Sequence, residues 1–139
     1  MRQATQVFRI DTRGRGLYEF SDAVADWLSR ESFATGLLTL LCRHTSASLL
    51  ITENASPDVR VDMEAAFEGF APESAGLYAH DDEGPDDMPA HIRAALTAAN
   101  LSIPILAGKM ALGTWQGLFL FEHRRRPHRR EIAAHAMGE

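Results

Sequence analysis

Gly36-Leu-Leu-Thr-Leu-Leu-Cys42 is a continuous apolar run with the length of one β-strand. Such a run is typical of a strand buried on both faces, so we expect a strand over residues 37–43 inside a sheet. This strand would deliver the polar residue His44 at its end. Cys42 is the only cysteine of the chain, which rules out an internal disulfide bond, and we expect it to be a small buried apolar residue.

The segments on either side of this run carry strand and helix patterns. Residues 7–12 and 49–52 are predicted strands. Ser21 is the predicted N-cap of a first helix, and Ser56-Pro57 marks the start of a second helix. The predicted buried faces are Val24, Trp27 and Leu28 in the first helix, and Val59, Met63, Ala66, Phe67 and Phe70 in the second.

The last part of the chain is predicted to contain one helix followed by strands. Pro89 opens this third helix, which runs to about Ala99 and has a buried stripe of Ile92, Ala95 and Leu96. The predicted strands cover residues 101–106, 109–115, 118–124 and 132–137, and the last two are joined by an arginine-rich turn. Pro104 inside the first of these strands indicates an edge or a bulge.

Helices embedded among strands, with short links late in the chain, predict an α+β fold. We expect a compact single domain over residues 1–139, with a mainly antiparallel β-sheet and two to three helices. The chain is 45% hydrophobic and 24% charged, which is ordinary for a globular protein.

The charge and hydropathy patterns exclude two classes of partner. The net charge of −5 gives no general attraction to nucleic acid, so we expect no nucleic-acid binding. The basic run 123–130 is expected to be a solvated turn, with a phosphate-facing role as the alternative. No apolar run approaches a membrane span, and the N-terminal residues lack a hydrophobic signal region. We therefore expect a cytoplasmic protein without a membrane partner.

The twelve residues His80-Asp-Asp-Glu-Gly-Pro-Asp-Asp-Met-Pro-Ala-His91 contain two imidazoles and five carboxylates. Imidazoles are common ligands of zinc, manganese or nickel, and three of them leave an open position for water or substrate. Gly84-Pro85 suits a loop that folds back, and His44 would join His80 and His91 from a strand end. The alternative is that each histidine is a surface or hydrogen-bonded residue without a ligand.

The acidic residues of this stretch have two candidate roles. Asp81 lies beside His80 and is the candidate to orient an imidazole or to move a proton. Asp86 and Asp87 precede Pro89, so we expect at least one of them to cap the third helix.

Further polar residues are candidates for substrate contacts. Thr45 and Ser46 offer hydroxyls that can bind a phosphate or a backbone group. Trp115 and Gln116 lie between two glycines, where the tryptophan is either a core residue at a bulge or a stacking platform.

Glu122 and His123 end an apolar strand. Alternation along the strand predicts that one of the two points inward. A buried charged group needs a partner, and Arg124 or a metal can serve.

Several of these segments together resemble one family, the YjbQ-like family, which is also called the secondary thiamine-phosphate synthase family. The resemblance covers almost the whole chain, in the family's order. Its most specific blocks are Gly84-Pro-Asp-Asp-Met-Pro-Ala-His91 and Leu112-Gly-Thr-Trp-Gln-Gly117. The other matching segments are His44-Thr-Ser-Ala-Ser-Leu49, Pro57-Asp-Val-Arg-x-Asp-Met63, Tyr78-x-His-Asp81 and Glu122-His-Arg124. The chain departs from the family in its final segment, where alanines replace a valine-rich strand.

The resemblance implies a homotrimer with a histidine-rich metal site near a subunit boundary. Carried over by motif, the metal ligands are His44, His80 and His91, with zinc as the expected ion, and the role of His123 is left open. The associated activity joins a pyrimidine methyl diphosphate to a thiazole phosphate and releases diphosphate.

Our first hypothesis is therefore a metal-dependent enzyme acting on a phosphorylated small molecule. Asp81 and Glu122 are its candidate catalytic residues, and the candidate substrate-binding residues are Thr45, Ser46, Trp115, Gln116 and Arg124. Arg43 and Lys109 are further candidates to neutralise a diphosphate leaving group. The alternatives are a metal-dependent hydrolase of a small phosphorylated substrate and a non-catalytic trimeric metal-binding protein.

Overall fold

The computed structural model describes all 139 residues, Met1–Glu139, and contains two antiparallel sheets and three helices. The elements are β1 (Arg2–Thr12), β2 (Gly16–Glu19), α1 (Ser21–Glu31), β3 (Gly36–Cys42), β4 (Ala47–Glu53), α2 (Pro57–Phe70), α3 (Asp87–Leu96), β5 (Asn100–Leu106), β6 (Lys109–Met110), β7 (Gln116–Glu122) and β8 (His128–Gly138). The predicted α+β domain with antiparallel sheets is confirmed. None of the helices is long and apolar enough to cross a membrane.

The larger sheet has the strand order β1-β8-β3-β5-β6, and the smaller one has the order β2-β7-β4. β3 is an inner strand that pairs with β8 on one side and with β5 on the other. Leu38, Leu40 and Cys42 of β3 are buried, but Leu37 and Leu41 are 38% and 46% exposed. The expectation that this strand is buried on both faces is therefore wrong, because only one face of the sheet packs against the core.

The hydrophobic core lies between the inner faces of the two sheets and α1. Leu49 of β4 and Leu120 of β7 enter it from the smaller sheet, and Ile105 of β5 enters it from the larger one. Each such side chain contributes about 1.5–3 kcal/mol when it is fully buried. The predicted face of α1 is confirmed, since Val24, Trp27 and Leu28 are all buried in this core.

The second and third helices differ from the sequence prediction in what they bury. α2 begins at Pro57 as predicted, but none of its residues is buried and Phe70 is 64% exposed. α3 begins at Asp87 and ends at Leu96, which is 58% exposed, so the predicted apolar stripe is wrong. The buried residues of α3 are Asp87, Pro89, Ala90 and Arg93. Asp87 and Arg93 face inward because each forms an ion pair there, Asp87 with Arg124 and Arg93 with Glu64.

The arginine-rich connection links the two sheets. The sequence placed strands 118–124 and 132–137 on either side of a turn, and the structure has β7 in the smaller sheet and β8 in the larger one. The predicted strand 109–115 is reduced to Lys109–Met110. β6 pairs with β5 at Ile105 and Leu106, and the backbone N–H of Ala111 donates to the carbonyl of Pro104, so Pro104 lies at the end of this short pairing. β7 consequently ends at Glu122, where the chain passes from the smaller sheet to the larger one.

Candidate metal centre

Four side chains at the start of α3 and in the loop before it form a cluster with metal-ligand chemistry. His80, Glu83, Asp87 and His91 each place one nitrogen or oxygen atom so that all four atoms lie within 4.8 Å of one another. Asp87 is buried at the base of the cluster, and the other three are partly or fully exposed. We call this set the His80–His91 cluster.

Local geometry explains how the cluster forms. Asp87 and His91 are one helical turn apart on α3, and His91 Nε2 lies 3.0 Å from Asp87 Oδ2. The preceding loop folds back through Gly84, whose φ of 103° is accessible mainly to glycine. This turn brings His80 Nε2 to 2.6 Å from the same oxygen, Asp87 Oδ2. The predicted turn at Gly84-Pro85 therefore has the expected role of closing the loop.

Arg124 holds the other oxygen of Asp87. Its Nη1 lies 2.5 Å from Asp87 Oδ1, and its Nε lies 3.0 Å from Asp86 Oδ2. Burial acts to raise the pKa of Asp87, but hydrogen bonds from His80 and the charges of His91 and Arg124 outweigh it and lower the pKa. Asp87 is therefore ionised and oriented, with Oδ2 directed at the two imidazoles.

The proton positions on His91 follow from its partners. Its Nδ1 lies 2.9 Å from the carbonyl oxygen of Thr45, which can only accept, so Nδ1 carries a proton. Its Nε2 faces the ionised Asp87 Oδ2, which also cannot donate. Nε2 must therefore carry a second proton or direct its lone pair toward a cation beside Oδ2. A backbone-anchored imidazole of this kind is the usual arrangement of metal-ligating histidines.

His80 is the more exposed imidazole of the pair. The hydrogen bond with Asp87 raises the pKa of His80, and Asp82 and Glu83 add to the effect. Two imidazoles and two carboxylates fit a zinc or manganese ion, because these ions take nitrogen and oxygen ligands. The residues present thus match the chemistry of a divalent metal site.

The comparisons with known proteins agree with the motifs. A sequence profile described as "UPF0047 protein YjbQ-like" matches residues 6–139. The chain belongs to the YjbQ-like family. The UPF0047 protein sll1880 of Synechocystis is 49% identical to this YjbQ-like chain over 138 residues, covering 99% of it and 94% of that protein. YjbQ of Salmonella typhimurium is 44% identical over 131 residues, which cover 94% of each chain.

Solved structures of YjbQ-like proteins have the same fold. A YjbQ/UPF0047 family protein of Clostridium acetobutylicum has a TM-score of 0.86 and 28% identity, with coverage of 95% of this chain and 99% of that one. Protein TT1486 of Thermus thermophilus has a TM-score of 0.82 and 29% identity, covering 93% and 97%. The names of these relatives give a family or no more, and none gives a reaction.

The structure brings together two of the three histidines predicted as ligands. His44 lies outside the His80–His91 cluster, and its Nε2 accepts a hydrogen bond of 2.7 Å from the backbone N–H of Glu131. Burial lowers the pKa of His44, with the charge of Arg130 adding to the effect, which suits a neutral imidazole that accepts.

From the sequence, at least one of Asp86 and Asp87 is expected to cap α3, and Glu83 has no assigned role. Asp86 does occupy the N-cap position and Asp87 lies in the first turn, but neither side chain makes a capping hydrogen bond and both bind Arg124 instead. The offset of four residues between Asp87 and His91 was the available signal for a shared helix face.

The predicted substrate-binding residues lie in different places. Thr45 contributes its carbonyl to His91, while Ser46 is buried and binds Arg130 through its hydroxyl at 3.0 Å. Trp115 is 64% exposed, so it is not a core residue, and Gln116 accepts a hydrogen bond from the backbone of Gly113. No contact in the structure joins Trp115 or Gln116 to the His80–His91 cluster.

The two predicted catalytic carboxylates also differ in exposure. Asp81 is exposed and lines a cleft of about 360 Å³ together with His80, Gly84 and Tyr78. Glu122 is fully buried and forms an ion pair with Arg130, with 2.5 Å between Glu122 Oε2 and Arg130 Nη2. Its expected partner Arg124 donates only its backbone N–H to Glu122.

His123 is also fully buried, and both of its ring nitrogens are used within the protein. Arg93 Nε donates to Nδ1 at 3.2 Å, so the proton is on Nε2, which lies 2.8 Å from Ser48 Oγ. Burial and the nearby arginines lower the pKa of His123 to about 3. The expectation that burial alternates between Glu122 and His123 is wrong, because β7 is the middle strand of the smaller sheet and is covered on both faces, so every residue from Leu118 to His123 is buried.

Proposed function

We propose that this chain is a metal-dependent enzyme that acts on a small phosphorylated molecule at the His80–His91 cluster. The observation that carries this proposal is the convergence of His80, Glu83 and His91 on Asp87, with His91 Nε2 3.0 Å from Asp87 Oδ2. Zinc is the expected ion, since the donors are imidazole nitrogens and carboxylate oxygens.

The residues around the cluster have separable tasks in this proposal. His80, Glu83, Asp87 and His91 would hold a divalent ion, which would act as a Lewis acid toward a phosphoryl group. Arg124 fixes the orientation of Asp87, and the Thr45 carbonyl fixes the tautomer of His91. Asp81 is the exposed carboxylate in the adjoining cleft and is suited to accept a proton from a bound group.

The resemblance to the secondary thiamine-phosphate synthase family adds a specific candidate reaction. This reaction joins a pyrimidine methyl diphosphate to a thiazole phosphate and releases diphosphate. Hydrolysis of a small phosphate ester is the second candidate, and the partial exposure of His80 and His91 supports it because water reaches the cluster. A metal-binding protein without catalysis remains the outcome expected if neither reaction occurs.

The first test is the metal content of the purified chain, prepared without a histidine tag or chelator. We expect about one zinc ion per chain, measured by plasma mass spectrometry, and loss of most of it in His80→Ala and His91→Ala. His128→Ala is the matched control, because His128 Nδ1 binds the carbonyl oxygen of Arg126, outside the His80–His91 cluster. Metal content that stays unchanged in both cluster variants, with folded protein by circular dichroism, refutes the site.

The second test separates the two reactions. Coupling of the thiamine precursors is followed by release of diphosphate, and hydrolysis is followed with a panel of phosphate monoesters. We expect turnover of one class that disappears in His91→Ala and persists in His128→Ala. The absence of both activities at full metal occupancy favours the non-catalytic alternative.

A homotrimer is part of this proposal. The outer face of the larger sheet exposes Leu37 opposite Met137, and Leu41 lies four residues further along β3 on the same face, which is consistent with a covered surface. Sedimentation velocity should give a trimer for the natural chain and a smaller species for Leu41→Glu. A monomer for the natural chain at micromolar concentration contradicts this arrangement.

A cytoplasmic location suits the buried free thiol of Cys42.

A further inference from the structure

Glu73 is held between two arginines on the side of the molecule near the metal cluster. Its Oε1 contacts Arg15 Nη2, and its Oε2 lies 2.6 Å from Arg125 Nη2. The Glu73 side chain is only 15% exposed and that of Arg15 only 11%. One carboxylate thus bridges two guanidinium groups, each oxygen binding a different cation.

Arg15 has more hydrogen-bonding capacity than its partners use. Glu68 Oε1 lies 3.2 Å from its Nη1, but its Nε is buried without any partner. Burial and the neighbouring charge of Arg93 lower the pKa of Arg15, as expected for a guanidinium short of solvation. A buried donor without an acceptor is costly, and it is satisfied when an anion with more oxygens than a carboxylate binds there.

Glu73 also lies in the wall between two clefts. One cleft, of about 230 Å³, is lined by Arg15, Glu68 and Arg125. The other is the cleft of about 360 Å³ that His80 and Asp81 line. Displacement of the Glu73 side chain would therefore uncover Arg15 and leave Arg125 without its carboxylate partner, beside the cleft that His80 lines.

The two residues Arg124 and Arg125, which follow β7, link Glu73 and its arginines to the His80–His91 cluster. Arg124 binds Asp87 of the cluster, and the backbone N–H of the next residue, Arg125, donates to Asp86 Oδ2 at 2.9 Å. Glu73 itself belongs to the segment between α2 and α3, which contains no helix or strand. Its removal from the arginines would break no sheet or helix hydrogen bond.

The geometry points to a phosphate-binding site formed by Arg15 and Arg125, in which the carboxylate of Glu73 occupies the place of the ligand when none is bound. A phosphate or terminal diphosphate group would displace Glu73 and bind both guanidinium groups. The inference deepens the proposed function, on which it rests for the role of the phosphate in catalysis, by assigning the phosphate end of the substrate to these arginines.

Binding of inorganic phosphate to metal-free protein, measured by calorimetry at constant ionic strength, tests this site without turnover. Glu73→Gln removes the competing charge and should bind phosphate about tenfold more tightly, a gain typical of one charge-assisted contact. Glu68→Gln is the matched control, since it makes the same charge change on a partner of Arg15 outside the bridge. It should change the affinity by less than about threefold, as expected for an exposed ion pair.

Arg125→Gln removes one of the two arginines that form the proposed phosphate site. Arg125 is mostly exposed, so the variant should fold, and in the Glu73→Gln background it should abolish the gain in affinity. Arg126→Gln removes the same charge from an exposed neighbour outside the site and should keep the gain. Equal affinities in Glu73→Gln and the natural chain, or a gain that survives Arg125→Gln, overturn the site.

The outcome is independent of the test of the proposed function. If the histidine variants lose metal and activity while Glu73→Gln leaves phosphate binding unchanged, the function stands and the phosphate site falls. If phosphate binding follows the arginine and glutamate variants but the chain takes up no metal, the anion site stands and the enzyme proposal falls.

Discussion

Replacing Glu122 with glutamine should lower the free energy of unfolding by about 3–5 kcal/mol, the usual effect of removing one partner from a buried ion pair. Glu122 was a candidate catalytic residue from its sequence position, but it is fully buried. Measuring this variant therefore tests whether the Glu122 carboxylate stabilises the folded protein.

The magnitude follows from the number of donors that converge on the carboxylate. Oε1 accepts from Thr12 Oγ1 at 2.6 Å and from Arg130 Nε at 2.8 Å. Oε2 accepts from Arg130 Nη2 at 2.5 Å and from two backbone N–H groups. A glutamine NH₂ group would place donors against donors on one side of the former carboxylate. The buried charge of Arg130 would keep hydrogen bonds to the amide oxygen and to Ser46 but would lose its only counter-charge.

Urea unfolding at pH 7, with linear extrapolation, measures the difference. Thr12→Val is the control, because it removes the hydrogen bonds of the Thr12 hydroxyl to Glu122 and to the backbone of His128 and keeps both charges, and it should cost about 1–2 kcal/mol. A loss in Glu122→Gln no larger than that of the control would show that the ion pair does not stabilise the fold. Metal content per folded chain should be the same in both variants and in the natural protein.

The pH dependence gives a second check on Glu122. Burial acts to raise its pKa, but Arg130 and Thr12 outweigh burial, so the net folded-state pKa is lowered from 4.5. The stabilisation is therefore present above pH 4.5 and is lost as the pH falls through the lower folded-state value. The stability difference between the natural chain and Glu122→Gln should narrow on acidification, and a constant difference would contradict the argument.

Three other outcomes are expected. The pKa of His123 is lowered from 6.5 to about 3 in the folded protein. On acidification the unfolded chain therefore takes up this proton at a higher pH than the folded chain does. The free energy of unfolding should fall as the pH drops below 6.5, by about 3 kcal/mol between pH 7 and pH 4. In His123→Gln this acid-dependent loss should shrink in urea titrations, and an unchanged slope would assign it to other groups. Trp115→Ala should change the free energy of unfolding by no more than about 0.5 kcal/mol, because the indole is exposed. A raised Michaelis constant in a stable variant supports stacking of Trp115 on the substrate, and an unfolded variant refutes the surface placement. Asp87→Asn should weaken zinc binding about 10–100-fold or more in competition titrations with a chromogenic chelator, and full retention of affinity would remove Asp87 from the metal site.

Helix α1 and the turn before α3 were predictable because their causes are local. Val24, Trp27 and Leu28 repeat at helical spacing, and the structure buries all three. Gly84 supplies the positive φ that the loop needs to bring His80 back over α3. Neither feature depends on a distant part of the chain.

Burial of charge was not predictable in this way. Arg93 is fully buried because Glu64 of α2 and His123 after β7 provide its partners, at 2.6 Å and 3.2 Å. A charged residue on a helix is expected to face solvent unless partners are known, and these come from other elements. The same reason explains why the apolar stripe predicted for α3 was wrong.

By itself the sequence established an α+β domain of the YjbQ-like family, a β-strand that ends in the buried Cys42, and His80 and His91 as neighbours across a short loop. These conclusions rest on periodicity, turn chemistry and motifs, all of which act over a few residues. The tertiary structure was needed to exclude His44 from the cluster, to add Glu83 and Asp87, and to pair Glu122 with Arg130. Each of these depends on where a strand end or a side chain lies relative to another element, because contacts between distant segments are set by the packing of both sheets.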